Sequence, residues 1–112
     1  MSDLAVQRCK ACDGDTPPLN AAATGDLLKQ VSDWSLDESG TEINRTFQFK
    51  NYYQTIAFVN ALAWISHQEN HHPDLEVSYN TCRVRYSTHA VKGLTKNDFI
   101  CAAKINGLFL SE

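Results

Sequence analysis

From residue 41 to residue 50 apolar and polar side chains alternate: Ile43, Phe47 and Phe49 fall on one side of an extended chain, Glu42, Asn44, Thr46, Gln48 and Lys50 on the other. A period of two with one wet side predicts a strand of an antiparallel sheet. Trp34-Ser35-Leu36 reads as a shorter strand before it, and Asp37-Glu38-Ser39-Gly40 between them has the chemistry of a hairpin turn. On either side of this hairpin the period changes. Upstream, Asn20 is placed to cap a helix over residues 20–31, with Leu27, Leu28 and Val31 on one side and Gly25 weakening its middle. Downstream, Asn51 caps a longer helix over residues 52–70. Its apolar residues, among them Tyr53, Phe58, Leu62, Ala63, Trp64 and Ile65, cover more than half its circumference, which predicts burial on two sides, against the sheet and against another helix or subunit.

Pro73 cannot continue that helix and pushes His72 toward extended geometry. Residues 75–79 and 82–86 then alternate around Asn80-Thr81 as a second hairpin, and Thr95-Lys96-Asn97-Asp98 resembles a capping box opening a last helix through Phe99, Ile100, Ala103, Ile105 and Leu108. The order is helix, two strands, helix, two strands, helix. Hairpin-linked strands imply an α+β fold of two layers, a four-stranded antiparallel sheet with three helices on one face.

A chain of 112 residues with 43% apolar and 21% charged residues has the length and composition of one ordinary globular domain. We assign it to residues 19–112. Residues 1–18 end in Asp13-Gly14-Asp15-Thr16-Pro17-Pro18, which reads as linker, so they are expected to form a flexible tail that packs little. No apolar run approaches the roughly 20 residues of a membrane helix, and residues 1–10 lack the apolar core of a secretory signal, so the expected compartment is the cytosol. The net charge of −3, with no basic block, argues against nucleic acid as a partner. Of the four cysteines, Cys9 and Cys12 form a close pair that is half of a zinc knuckle without its other half, while Cys82 and Cys101 stand alone on expected core elements. A reduced tail is favoured over a tail-bound metal or a redox disulfide.

The stretch His67-Gln68-Glu69-Asn70-His71-His72-Pro73-Asp74 holds three of the four histidines, and His89 follows one hairpin later. Imidazole titrates near neutrality, so the cluster points to a metal or to proton transfer. As zinc ligands, His67 and His71 share a helix face, and His72 or His89 supplies a third donor. Against this, the zinc-protease pattern puts Glu directly after the first His, whereas here Gln68 holds that position and Glu69 sits about 100° further round the helix. A lone ring near a helix C-terminus is also explained by the negative end of the helix dipole, and for His67 that reading is preferred. For His71 and His72 metal-free acid–base chemistry is preferred: two rings in different environments serve as acid and base, with His89 as the opposite wall of a cleft.

The run Asn70-His71-His72-Pro73, an aromatic at Tyr79, Ser87-Thr88-His89, then Gly93-Leu94-Thr95 and Asp98, closely resembles the pterin-4a-carbinolamine dehydratases. The similarity extends from residue 34 to about residue 103 and includes Phe47-Gln48-Phe49-Lys50-Asn51. The resemblance implies an enzyme that removes water from 4a-hydroxytetrahydrobiopterin, the product of aromatic amino acid hydroxylases, and so a functional link to phenylalanine hydroxylase. It implies no metal and no resident cofactor, the pterin being the substrate. By position, His71 and His89 would be the principal acid–base groups, with His72 holding the pterin and assisting. Asn70, Ser87 and Thr88 would line the pocket, and the family's acid near the last helix falls on Asp98, which a capping-box role explains equally well. Where many members carry Glu four residues before the first His of the pair, this chain has His67. The resemblance further implies a homodimer or homotetramer, and an alternative non-catalytic role, since animal members also serve as dimerisation partners of a homeodomain transcription factor.

Overall fold

The alternation along residues 41–50 is realised as a strand at the middle of a sheet. In a computed structural model describing residues 3–109, β1 (Ser35–Leu36), β2 (Ile43–Gln48), β3 (Asp74–Val77) and β4 (Thr81–Tyr86) form one antiparallel sheet in the order β1-β2-β4-β3. The register sets Ile43 opposite Tyr86, Phe47 opposite Cys82 and Leu75 opposite Val84. Because side chains alternate across a strand, that register gathers Ile43, Phe47, Cys82, Val84 and Tyr86 on one buried face. Helices α1 (Ala21–Leu28), α2 (Tyr52–Glu69) and α3 (Lys96–Asn106) complete the α+β architecture expected above. No helix among the described residues is long and apolar enough to cross a membrane.

Local chemistry places the ends of these elements. Asn20 and Asn51 each cap a helix, their Oδ1 atoms accepting from the main-chain N–H of Ala23 at 2.8 Å and of Gln54 at 2.9 Å. Helix α1 stops at Leu28 rather than Val31, and the chain leaves through a turn that ends with Asp33 in the left-handed region, φ 70°. The second hairpin also turns one residue earlier than expected: Val77 pairs with Cys82, so Tyr79 lies in the turn, exposed, instead of ending β3. Trp34 closes one end of the core, packing edge-on against Phe47 and donating from Nε1 to Asn106 Oδ1 at 2.9 Å.

Helix α2 buries a single stripe, Thr55, Phe58, Leu62, Ser66 and Glu69. The second apolar side expected from its composition stands open in the single chain, with Tyr53 81% and Trp64 61% exposed. Helix α3 is buried on nearly all sides, and the cover it needs comes from an unexpected quarter. Residues 3–18, expected to pack little, lie along α3 and the end of α2; residues 1–2 of that segment and 110–112 of the expected domain fall outside the described residues. A 3-10 turn at Leu4–Val6 seats Leu4 in the core at 1% exposure, a burial worth about 2 kcal/mol. Lys104 Nζ donates to the Ala5 carbonyl at 2.8 Å, and Arg8 Nε pairs with the buried Glu69 carboxylate at 2.9 Å.

Candidate active site

Helix α2 ends by a Schellman closure. Asn70 takes the left-handed conformation, φ 52° and ψ 43°; its N–H donates to the His67 carbonyl at 3.3 Å and the His71 N–H to the Ser66 carbonyl at 3.1 Å. Asparagine tolerates this geometry better than most residues, and it swings His71 and His72 off the helix axis before Pro73 fixes the extended entry to β3. At the end of β4 a second device does the same for His89. Thr88 and Gly93 pair across a bridge, the Thr88 N–H donating to the Gly93 carbonyl at 2.8 Å, and the short 3-10 turn His89–Val91 bulges between them, with Lys92 left-handed at φ 54°. Gly93 also sits against Pro18, and a Cβ added there would lie 3.0 Å from the proline Cβ.

These two junctions and the N-terminal arm enclose a cavity of about 440 Å³, within the range of roughly 300–1,000 Å³ typical of small-molecule sites. His71, His72 and His89 all line it, as do Asn70, Ser87 and Thr88. The His72 and His89 rings face each other nearly perpendicular with centroids 6.3 Å apart, and both are exposed. His67 does not line this cavity: its ring lies tilted against Trp64, centroids 5.3 Å apart, and it borders instead a separate hollow on the other side of Asn70, His71 and His72. Among the described residues, no three His, Cys, Asp or Glu side chains are grouped as metal ligands would be.

His71 is the differently placed ring. It lies nearly parallel to the fully buried Tyr86, centroids 5.4 Å apart, and its Nε2–H donates to Asp98 Oδ1 at 2.6 Å. Asp98 is completely buried. Its other oxygen accepts from Thr88 Oγ1 at 2.8 Å and from the Thr95 N–H at 3.0 Å, and the Thr95 hydroxyl backs Thr88 at 2.8 Å. The two explanations left open for Asp98 are therefore compatible: one oxygen closes the capping box at the positive end of α3 while the other orients an imidazole. Burial disfavours the charged form of His71, but the hydrogen bond from the ring to Asp98 and the carboxylate charge outweigh it, so its pKa stands above the ordinary imidazole value. Thr88, expected to offer its hydroxyl to the pocket, instead spends it on Asp98.

Part of the wall comes from a segment read in the sequence as a flexible tail, Cys9 and Cys12 included. Cys9, Lys10, Ala11 and Cys12 of the N-terminal arm form one side of the cavity, and Asn97 holds the arm there, accepting from the Lys10 N–H at 3.0 Å and donating to the Lys10 carbonyl at 2.6 Å. Glu69 supports the same arm by accepting the Cys9 N–H at 2.8 Å. Such partners are about 60 to 90 positions apart and carry no shared spacing.

A family model described as pterin 4 alpha carbinolamine dehydratase matches residues 17–108. The chain belongs to that family. A relative from Nitrosomonas eutropha, provisionally named a pterin-4-alpha-carbinolamine dehydratase, is 58% identical over 110 residues, covering 97% of this chain and 96% of its own. One from Legionella pneumophila with the same provisional name is 54% identical, covering 97% of each chain. Among solved structures, a transcriptional coactivator/pterin dehydratase from Brucella melitensis superposes with a TM-score of 0.78 at 26% identity, over 81% of this chain and 97% of that one. A pterin dehydratase-like protein described as a RuBisCO assembly factor of the alpha-carboxysome shares the fold, with a TM-score of 0.61 at 23% identity over 71% of this chain and 93% of that one.

Proposed function

We propose that this member of the family is an active dehydratase, removing water from 4a-hydroxytetrahydrobiopterin to give the quinonoid dihydropterin. The reading rests on one observation above the others: three imidazoles from two separate junctions line a single cavity, and one of them is oriented by a buried carboxylate. Loss of the 4a-hydroxyl needs a proton delivered to that oxygen and the N5 proton removed, which groups titrating near neutrality supply. His71 and His89 take these acid and base roles and His72 holds the ring system, with Asn70 and Ser87 offering polar contacts at its edge. Asp98 fixes the His71 ring through Nε2, leaving Nδ1 for proton exchange. The protein acts in the cytosol beside an aromatic amino acid hydroxylase such as phenylalanine hydroxylase, whose spent pterin it returns. It does so as a homodimer or homotetramer built on the open side of α2.

A second reading draws on the exposed Tyr53 and Trp64 and on the coactivator and assembly-factor descriptions of the two structural relatives. In that reading the chain is a non-catalytic binding protein. Mixing purified protein with freshly generated 4a-hydroxytetrahydropterin and following decay of its absorbance separates the two. An enzyme accelerates the decay in proportion to protein added; a rate equal to that in buffer supports the binder.

A further inference from the structure

Two sulfurs that the dehydration does not use meet at the wall of the cavity. Cys9 Sγ lies 3.7 Å from Cys101 Sγ. Cys101 belongs to the middle of α3, is fully buried, and points its thiol toward the His71 carbonyl at 4.0 Å. Cys9 is carried by the arm, which is pinned on both sides of it: its own N–H is held by Glu69 at 2.8 Å, and Lys10 is held in both directions by Asn97. Their approach is thus set by anchored backbone rather than by two loose loops. The other two thiols are directed elsewhere. Cys12 Sγ faces the Lys10 carbonyl and the Asn97 side-chain amide, and Cys82 is shut in the sheet face of the core.

We infer that Cys9 and Cys101 are a disulfide-forming pair, closed by a small-molecule disulfide that enters through the cavity, stapling the N-terminal arm to α3 beside the histidines. To reach a bond length of about 2.05 Å, the sulfurs at 3.7 Å need approach by only about 1.7 Å. Cys9 is half-buried and lines the cavity, so the reagent meets it first. The Cys9 thiolate attacks one sulfur of the reagent, whose S–S bond breaks; half remains on Cys9 as a mixed disulfide and half leaves as thiolate. The Cys101 thiolate then attacks the Cys9 sulfur, forms the internal bond and expels the second half. The protein thiols lose two electrons and two protons; the reagent gains both and ends as two thiols. The hydrogen bond with Cys101, burial, and the charges of Cys101 and Glu69 push the Cys9 thiol up, with His71 pulling the other way, so little thiolate is present near neutrality and closure is slow.

The test uses the full-length reduced protein incubated with excess glutathione disulfide, then alkylated and examined by mass spectrometry, a readout independent of pterin turnover. The expected product has lost two of its four free thiols, carries no glutathione, and yields a peptide joining Cys9 to Cys101. Cys12→Ser gives the same link, Cys9→Ser gives none, and dithiothreitol reverses it. Four persisting thiols, a stable glutathione adduct as end product, or a Cys9–Cys12 bond would overturn the inference.

Discussion

His71 and His89 bring the same ring to the same cavity from opposite surroundings. His71 is packed on Tyr86, bonded through Nε2 to a fully buried carboxylate, and displaced upward in pKa. His89 stands on an exposed 3-10 turn, its ring edge-on to that of His72. A ring held by its environment keeps one tautomer and one orientation, whereas an exposed ring is free to turn. The pair shows one side-chain type set in two different environments at a single cavity, and the proposed chemistry assigns each a different role.

The largest effect that sharpens this contrast is on turnover. His71→Ala and His89→Ala should each slow dehydration by about 10²- to 10⁴-fold, measured as single-turnover decay of the carbinolamine. Equal activity in either variant would remove that ring from the chemistry.

A smaller effect separates the two environments. Asp98→Asn keeps the shape but removes the charge, so the burial that already opposes protonation prevails. The pKa of His71 should fall in an NMR titration, because the carboxylate charge that opposed the burial penalty is gone. Since Asp98 raises the folded-state value of His71 above its unfolded one, the pair stabilises the fold fully below the ordinary imidazole pKa of 6.5 and loses that contribution as pH rises through the raised value. The stability gap between wild type and Asp98→Asn, read from urea unfolding, should therefore be widest near pH 5.5 and narrow toward pH 9. A gap that widened with pH would contradict the assignment of Asp98 to His71.

The smallest expected effect is at His67. It packs tilted against Trp64 and does not line the cavity, so His67→Gln should change turnover by less than about twofold. A large loss would mean that the open side of α2 feeds the chemistry after all.

Much of this arrangement was legible in the sequence because it depends on local rules. The two-residue period of β2 and β4, the Asn51 cap, the stop at Pro73 and the Thr95–Asp98 box are each readable within a few residues, and they suffice to put His71 and His72 at a helix end and His89 after a hairpin. The packing of residues 3–18 was not legible, since one buried Leu4 in a polar, turn-rich stretch has no periodicity to reveal it. Nor was the contact between Asp98 and His71, 27 positions apart, or that between Asn97 and Lys10, 87 apart. Such contacts come from how α3, the end of α2 and the N-terminal arm pack together rather than from any spacing along the chain. Thr88 shows the same limit, its place in the pocket being foreseeable but not the direction of its hydroxyl.

The central claim, that rings from the end of α2 and from the turn after β4 share one pterin, is tested most directly by histidine-selective NMR with an unreactive oxidised pterin added. The expected result is that the imidazole signals of His71, His72 and His89 all move, saturating at one common concentration, while those of His67 do not. Signals of His71 and His89 that stayed unmoved, or that saturated at different concentrations, would contradict it.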